Sequence, residues 1–280
     1  MRISRWIAAA CALLVVAPLL AGCASQTDPK VAHESLSEVT ADPTPPEAED
    51  EYDAEAFPEP IVDPLECSNY LVITARGTDE AKKKQLVTPI AKAIAEARPG
   101  EVKQLDLDYP ADTEVKEGGT IGVRTLIDTL NVQAEACPAQ RFVLLGYSQG
   151  ALIIGDALTD PAVRLVGVKA GEVDARAARN VLAIVFYGDP RFVGSEPYNA
   201  GTFNAATNGL LPRPPGSLDD YASRMRDFCV ARDFICQRSL DLDEKGHVAY
   251  YKNGMTQDGA AFVITLLPPA EERDEDDSSL

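Results

Sequence analysis

Histidine and basic side chains are both scarce in this chain of 280 residues. It has two histidines, His33 and His247, and its 26 lysines and arginines stand against 44 acidic residues, which gives a net charge of −18. Because a protein that binds nucleic acid needs a basic face, we expect no nucleic-acid partner. The cysteines are far apart and no histidine accompanies them at ligand spacing, so we expect no zinc site.

The first apolar stretch is too short to cross a bilayer comfortably. It runs from Trp6 to Leu20 with arginines only before it, which is typical of a secretory signal peptide. It ends in Leu-Ala-Gly-Cys, which resembles the bacterial lipobox, whose cysteine is lipidated. We therefore predict a signal peptide over residues 1–22 and a lipid anchor on Cys23, at the outer face of the cell membrane. The alternative is an ordinary signal peptide that contains a cysteine, and a secreted protein.

Large apolar side chains are almost absent from the segment that follows. Residues 23–63 contain 12 acidic residues and one lysine, with many prolines, alanines, serines and threonines. This composition predicts a disordered linker, extended by its own charge, that lifts a domain off the membrane. Residues 271–280 contain 6 acids and one arginine and predict an acidic, disordered tail. The strong acidity therefore belongs to the ends of the chain.

Residues 64–270 are enough for a single domain with a large core. Four cysteines fall within this range, and export makes disulfides plausible, although four cysteines allow three pairings. Cys229 and Cys236 are close in sequence and would close one loop, which leaves Cys67 to pair with Cys137. We expect a monomer.

Apolar segments of strand and helix type alternate along this domain. The alternation predicts an α/β fold, with a central, mainly parallel sheet flanked by helices on both faces. The predicted strands are Tyr70–Thr74, Val102–Leu107, Phe142–Leu145 and Val181–Tyr187, and the predicted helices are Ala81–Ala97, Thr120–Ala136, Gln149–Leu158 and Ala260–Leu267.

The most informative motif is the pentapeptide Gly-Tyr-Ser-Gln-Gly at residues 146–150. It lies between a predicted strand and a predicted helix, which is the context of the nucleophile elbow in α/β hydrolases. The turn is sharp enough that a side chain at its first or last position would clash, so both are glycine. Ser148 would stand above the sheet at the positive end of the helix, where an oxyanion is stabilised.

A serine hydroxyl needs a base to take its proton, and histidine is the usual one. His33 lies in the acidic linker, where no packing would fix its ring. His247 follows the last predicted strand, so elimination leaves it as the partner of Ser148.

The third member of such a triad is a carboxylate that orients the imidazole. The order Ser, acid, His along the chain is that of α/β hydrolases. Asp233 is one candidate, because Cys229 and Cys236 flank it and a disulfide would hold its loop rigid. Asp189, directly after a strand, is the other candidate. We interpret Asp241 and Asp243 as solvated loop acids.

Four motifs together resemble the cutinase family. They are the GYSQG elbow, the acid framed as Cys-x3-Asp-x2-Cys at residues 229–236, His247 followed three residues later by a tyrosine, and Ala-Arg-Gly-Thr at residues 75–78 after the first strand. Cys67 and Cys137 also stand where the long-range disulfide of that family is found. The resemblance covers Glu66 to Pro268.

The resemblance implies that Ser148 is the nucleophile, His247 the base and Asp233, over Asp189, the acid. The backbone N–H groups of Thr78 and Gln149 would form the oxyanion hole, with the Thr78 hydroxyl as a further contact.

The family implies a secreted, membrane-anchored serine esterase without a cofactor. Its substrates would be short- or medium-chain acyl esters, acylglycerols, cutin-like polyesters or envelope lipid esters. Acyl transfer to a lipid alcohol, and a non-catalytic lipid-binding lipoprotein, are the alternatives. The segments Ala170–Asn180 and Tyr198–Ser217 depart from the family as extra loops. The second carries Leu210 and Leu211 and would make a small apolar rim on an otherwise lidless site.

Overall fold

The computed structural model of the protein describes most of the chain. The signal segment, Cys23 and the acidic tail lie outside the described residues, as do Asp241 and Asp243. Within the described part, no helix combines the length and apolar character needed to cross a membrane. The described residues are 28–40, 47–239, 242 and 244–269.

Six strands form one sheet in the described part of the chain, in the order β2-β1-β3-β4-β6-β5, and every adjacent pair is parallel. The expected α/β fold with a parallel sheet is therefore confirmed. The strands are β1 Tyr70–Ala75, β2 Val102–Asp106, β3 Arg141–Tyr147, β4 Val181–Tyr187, β5 Asn199–Gly201 and β6 Met225–Cys229.

Helices cover both faces of the sheet, because successive side chains of a strand point to opposite faces. In β1, Leu71 and Ile73 belong to one apolar cluster, with α4 and α5, whereas Tyr70 and Val72 belong to the other, with α3 and α8. The described α-helices are α1 Pro29–Glu38, α2 Glu47–Glu51, α3 Thr88–Ala97, α4 Val115–Ala136, α5 Gln149–Ala157, α6 Ala175–Asn180, α7 Glu244–His247 and α8 Met255–Leu266.

Three helices begin elsewhere than the pattern predicts. The helix expected from Ala81 begins at Thr88, because the Leu86 N–H donates to the Glu80 carboxylate and a proline follows in the first turn. Helix α4 begins five residues before the predicted Thr120, and α8 begins at Met255 rather than Ala260.

Strands β5 and β6 were not expected. Strand β6 reads Met-Arg-Asp-Phe-Cys, and its two charged residues interrupt the apolar run that marks a buried strand. Asp227 of this strand is nevertheless fully buried. Both predicted disulfides are confirmed, since Cys67 is bonded to Cys137 and Cys229 to Cys236.

The segment expected to be a disordered linker contains two helices. Leu36 of α1 and Val39, directly after it, are buried in the main apolar cluster, and the Glu49 carboxylate of α2 accepts hydrogen bonds from the Thr120 hydroxyl and the Gly167 N–H, each at 3.0 Å. The expectation of disorder is wrong for the described residues of this segment, because polar contacts that composition does not reveal hold it to the domain.

The remainder of this segment runs along α4. We call residues 47–66 the N-terminal strap. Buried Arg124 donates to the carbonyls of Phe57 and Glu59 at 3.0 and 2.9 Å, and the Ile61 N–H donates to Asp128 at 2.9 Å. The backbone of the strap is therefore fixed to one helix before it enters the sheet.

Candidate active site

The candidate site lies at the carboxyl end of the parallel sheet. Strand β2 lies to one side of β1 and β3 to the other, so the sheet has its topological switch point between β1 and β3. Ligand sites of open α/β sheets lie outside the carboxyl ends of the strands at such a point. The loop after β1 carries Thr78, the turn after β3 carries Ser148, and the loops after β4 and β6 carry Asp189 and Asp233. The topology thus brings together residues that are far apart in sequence.

The turn at Ser148 is strained in the way its sequence predicts. Ser148 has φ +52°, in the region that favours glycine, and its N–H donates to the Tyr187 carbonyl at 2.9 Å. A Cβ on Gly146 would lie 2.8 Å from the Ala151 Cα, and one on Gly150 would lie 2.0 Å from the Ala75 carbonyl oxygen. Both glycines are therefore required, and the serine is held directly before the first residue of α5.

The structure brings Ser148, His247 and Asp233 into one hydrogen-bonded chain. The Ser148 Oγ lies 3.0 Å from the His247 Nε2, and the His247 Nδ1 lies 3.0 Å from each Asp233 carboxylate oxygen. Asp233 is fully buried, and 12% of the His247 side chain is exposed. The other histidine, His33, lies on α1. An acid, a base and a hydroxyl are thus aligned for proton transfer.

The Asp233 carboxylate is held by several donors. The Tyr250 hydroxyl donates to its Oδ2 at 2.7 Å and the Ile235 N–H donates to its Oδ1 at 2.7 Å. Burial alone would raise the pKa of Asp233, but the adjacent His247 and these hydrogen bonds outweigh it and lower the pKa. Asp233 is therefore ionised at neutral pH, as an orienting acid must be. Sequence reasoning did not assign a role to Tyr250.

Asp189, the rival acid, has a different partner. Its Oδ2 accepts a hydrogen bond from the buried Arg213 at 2.6 Å, and its Oδ1 accepts one from the Arg191 N–H at 2.8 Å. Both oxygens are thus occupied by groups other than the imidazole. The structure places Asp233, and not Asp189, against His247.

The imidazole of His247 is enclosed by aromatic rings and one glycine. The Tyr147 ring is stacked on it with centroids 5.0 Å apart, and the Tyr147 hydroxyl donates to the His247 carbonyl at 3.0 Å. A Cβ on Gly188 would lie 2.7 Å from the His247 Cε1. Sequence reasoning missed Gly188, although its place between β4 and Asp189 marks it as part of a turn at the carboxyl edge.

The loop after β1 lies beside the serine. The Thr78 hydroxyl donates to the Gln149 Oε1 at 3.1 Å, and a Cβ on Gly77 would lie 3.3 Å from the Ser148 Cβ. The N–H groups of Thr78 and Gln149 donate to no other described residue. Because Gln149 is the first residue of α5, its N–H also lies at the positive end of the helix dipole. The two residues that carry the predicted donors are thus in contact with each other beside Ser148.

The two leucines expected to form a rim point inward. Leu211 is buried in the main cluster and Leu210 is half-buried against it. The Leu211 N–H donates to the Pro190 carbonyl at 2.8 Å, which ties this loop to the end of β4. Pro212, Pro214 and Pro215 of this loop are exposed.

Known proteins resemble the chain over most of its length. It is 30% identical over 207 residues to a cutinase of Kineococcus radiotolerans, covering 73% of this chain and 63% of that protein. It is 31% identical over 213 residues to an acetylxylan esterase of Hypocrea jecorina, covering 72% of this chain and 68% of that protein. The solved catalytic core domain of acetyl xylan esterase from Trichoderma reesei matches with a TM-score of 0.63 at 28% identity, covering 72% of this chain and 100% of that one.

The chain thus spans less than two thirds of the length of the Kineococcus protein. The family model described as Cutinase matches residues 66–267. This range begins at the first disulfide and ends with α8, so it contains the whole sheet and every residue of the candidate site. The resemblance drawn from the four motifs is confirmed, and the chain belongs to the cutinase family.

Proposed function

We propose that the protein is a carboxylic ester hydrolase that acts through an acyl-enzyme on Ser148. The observation that carries the proposal is the aligned chain of contacts, with the Ser148 Oγ 3.0 Å from the His247 Nε2 and the His247 Nδ1 3.0 Å from the Asp233 carboxylate. A neutral imidazole with its Nδ1–H on a buried carboxylate leaves Nε2 free to accept the serine proton. The names of the relatives, a cutinase and an acetylxylan esterase, support the same reaction class.

The reaction has two halves. In the first, Ser148 attacks the ester carbonyl carbon while His247 takes its proton, and the protonated imidazole then gives that proton to the departing alcohol. In the second, His247 takes a proton from water, the water oxygen attacks the acyl carbon, and the carboxylic acid leaves as Ser148 regains its proton. Asp233 stays ionised and stabilises the imidazolium in both halves.

We assign the stabilisation of the negative charge on the carbonyl oxygen to two backbone N–H donors. Gln149 directly follows Ser148, the Thr78 hydroxyl contacts the Gln149 side chain, and the N–H groups of both residues have no acceptor among the described residues. Loss of one oxyanion donor typically costs about 10²–10³ in kcat. The Thr78 hydroxyl, held on the Gln149 side chain, fixes the two donors relative to each other.

The proposed setting is an exported enzyme. Two disulfides are consistent with an oxidising compartment. We propose that Cys23 carries the lipid and that the enzyme acts at the outer face of the membrane on short- or medium-chain acyl esters, acylglycerols, polyesters or envelope lipid esters.

A fluorophosphonate label and a panel of p-nitrophenyl esters of increasing chain length test the proposal. We expect labelling and hydrolysis by the wild type, and neither by Ser148→Ala at an unchanged melting temperature. His247→Ala should lose hydrolysis as well. Folded wild-type protein that takes no label at Ser148 would leave a non-catalytic, lipid-binding role, and formation of new lipid esters instead of free acid would identify an acyltransferase.

A further inference from the structure

Glu80 is a buried acid beside the site that the proposed reaction does not use. Its side chain lies below the surface, with 8% of the residue exposed. One carboxylate oxygen accepts the Gly77 N–H at 2.7 Å, and the other accepts the Leu86 N–H at 2.7 Å and the Tyr251 hydroxyl. A buried carboxylate that accepts three hydrogen bonds connects the chain segments that supply the donors. Removal of either acceptor oxygen would leave a buried donor unpaired.

Two of the segments joined by Glu80 belong to the candidate site. Gly77 directly precedes Thr78, one of the two proposed oxyanion donors. Tyr251 follows His247 by four residues and lies in the short helical turn Ala249–Tyr251. The Glu80 carboxylate is therefore a bridge between the loop that would hold the oxyanion and the segment that carries the proposed base.

Aromatic packing reinforces the same bridge. The Tyr147 ring packs edge-on against the Tyr251 ring with centroids 6.0 Å apart, and it stacks on the His247 ring. A Cβ on Gly77 would lie 2.7 Å from the Tyr147 Cδ1, so the oxyanion loop touches this ring as well. Tyr147 fills the space between the two segments, and Glu80 supplies the hydrogen bonds that fix their separation.

The opposite side of the oxyanion loop is fixed independently. The Arg76 guanidinium donates to the Tyr109 carbonyl, and the Tyr109 hydroxyl donates to the Arg76 carbonyl. These contacts fix the start of the loop, and the Asp79 N–H, which donates to the Ala111 carbonyl at 2.7 Å, fixes the residue after Thr78. The residue before Thr78 is fixed by the Gly77 N–H, whose acceptor is Glu80.

We propose that Glu80 is a positioning residue: through Gly77 and Tyr251 it holds the Thr78 N–H and the His247 ring at a fixed separation about Ser148. The inference rests on the proposed function, since it assigns Glu80 a part in stabilising the oxyanion. The positioning by Glu80 stabilises the transition state, in which the carbonyl oxygen becomes charged, and leaves ground-state substrate binding unaffected.

Glu80→Gln and Tyr251→Phe test the inference in the full chain. Glutamine keeps one carbonyl oxygen but turns an amide N–H toward the Gly77 N–H or toward the other two donors, so the bridge cannot be satisfied. A misplaced oxyanion donor is expected to cost roughly 10- to 100-fold in kcat with KM within twofold. The Ki of an alkyl trifluoromethyl ketone, which forms a tetrahedral oxyanion on serine, should rise by a similar factor.

Glu49→Gln is the matched control. Glu49 is also a buried glutamate that accepts backbone N–H groups, from Gly167 and Lys169, and one hydroxyl, from Thr120, but it lies on α2. We expect it to lower the melting temperature about as much as Glu80→Gln while leaving kcat and the ketone Ki within twofold of the wild type.

The possible results distinguish a positioning role of Glu80 from a purely structural one. Equal effects of Glu80→Gln and Glu49→Gln on kcat, or a loss in Glu80→Gln that appears in KM with an unchanged ketone Ki, would overturn the inference. If Glu80→Gln does not fold, Tyr251→Phe decides, because it keeps the carboxylate and removes one of the two arms; an unchanged kcat and Ki would then refute the bridge. Ser148→Ala is run alongside, and only its residual activity would count against the proposed function itself.

Discussion

Gly188 is the residue whose missing side chain most directly permits the contact between His247 and Asp233. It follows β4 with φ +58°, and an added Cβ would lie 2.7 Å from the His247 Cε1, 2.9 Å from its Nδ1 and 3.1 Å from the Asp233 Oδ2. Because side-chain atoms do not approach that closely, Gly188→Ala forces the imidazole away from the carboxylate. We predict a large loss of activity from the addition of one methyl group.

The magnitude follows from two separate costs. An alanine in the left-handed region costs roughly 1–2 kcal/mol of stability. Relieving a 2.7 Å contact to an ordinary one requires a movement of about 0.7 Å at the ring, and misplacement of a reacting group by about 1 Å costs on the order of 10²-fold in rate. We therefore expect kcat/KM to fall about 100-fold, in a protein that remains folded.

Gly100→Ala separates the two costs. Gly100 has φ +80° and no atom within 4 Å of an added Cβ, so this variant carries the backbone strain without the contact. Hydrolysis of p-nitrophenyl butyrate and thermal unfolding are measured for both variants. We expect both to lose stability and Gly188→Ala alone to lose activity. A kcat/KM for Gly188→Ala within threefold of that for Gly100→Ala would refute the reasoning.

Three more predictions concern the acids and the loop disulfide. Asp233→Asn should lower kcat by about 10⁴, as expected when an orienting carboxylate is lost, whereas Asp189→Asn should keep most of the activity; the opposite order in steady-state kinetics would reassign the acid. Reduction of the Cys229–Cys236 disulfide should lower activity because it frees the acid-bearing loop, and unchanged hydrolysis after complete thiol reduction would contradict this. Burial first, and then the neighbouring Asp189, raise the pKa of Asp227 well above its usual range. Its contribution to stability is therefore present below the unfolded-state pKa of about 3.9 and is lost as the pH rises through the folded-state pKa. Asp227→Asn should accordingly gain stability over the wild type as the pH rises above about 4 in urea unfolding, and a pH-independent difference would show that Asp227 does not titrate in this way.

The parts of the site that depend on local geometry could be predicted from the sequence. The turn at Ser148 requires glycine at both ends, and both glycines lie within the same five consecutive residues as the serine. The loop around Asp233 is closed by a disulfide between Cys229 and Cys236, which are seven positions apart, so the rigidity of the loop also depends on local sequence. The choice of Asp233 over Asp189 was different, because residue type and spacing allowed both and only the family resemblance favoured the first.

Two parts of the site that depend on contacts between distant segments could not be predicted. Gly188 matters because of His247, which lies 59 residues further along, and Glu80 matters because of Tyr251, 171 residues further along. Each of these residues has an ordinary local explanation as a turn former or a loop acid. Strand β6 was missed for a related reason, since Asp227 breaks its apolar pattern and the favourable charge near it, on Arg213, belongs to another segment.

The N-terminal segment shows where composition misleads. Low apolar content predicts disorder because too little surface is buried to offset chain entropy. This argument counts only apolar burial, whereas the strap is fixed through polar groups: Glu49 binds α4 and the loop after α5, and Arg124 binds two strap carbonyls. One buried charged side chain on the strap and one on the domain can therefore order a segment whose own sequence has little tendency to fold.

This packing changes what a lipid on Cys23 would do. A free linker of about 40 residues would have a relaxed span of roughly 35 Å, and the enzyme would sweep a wide zone above the membrane. Helix α1 begins at Pro29, six residues after Cys23, and six residues reach at most about 20 Å. Because Leu36 of that helix and Val39 after it are buried in the main cluster, the domain itself would start within this distance of a lipid on Cys23. A lipidated form would therefore be held close to the bilayer and would reach esters in the adjacent envelope layer rather than polymers far from the cell surface.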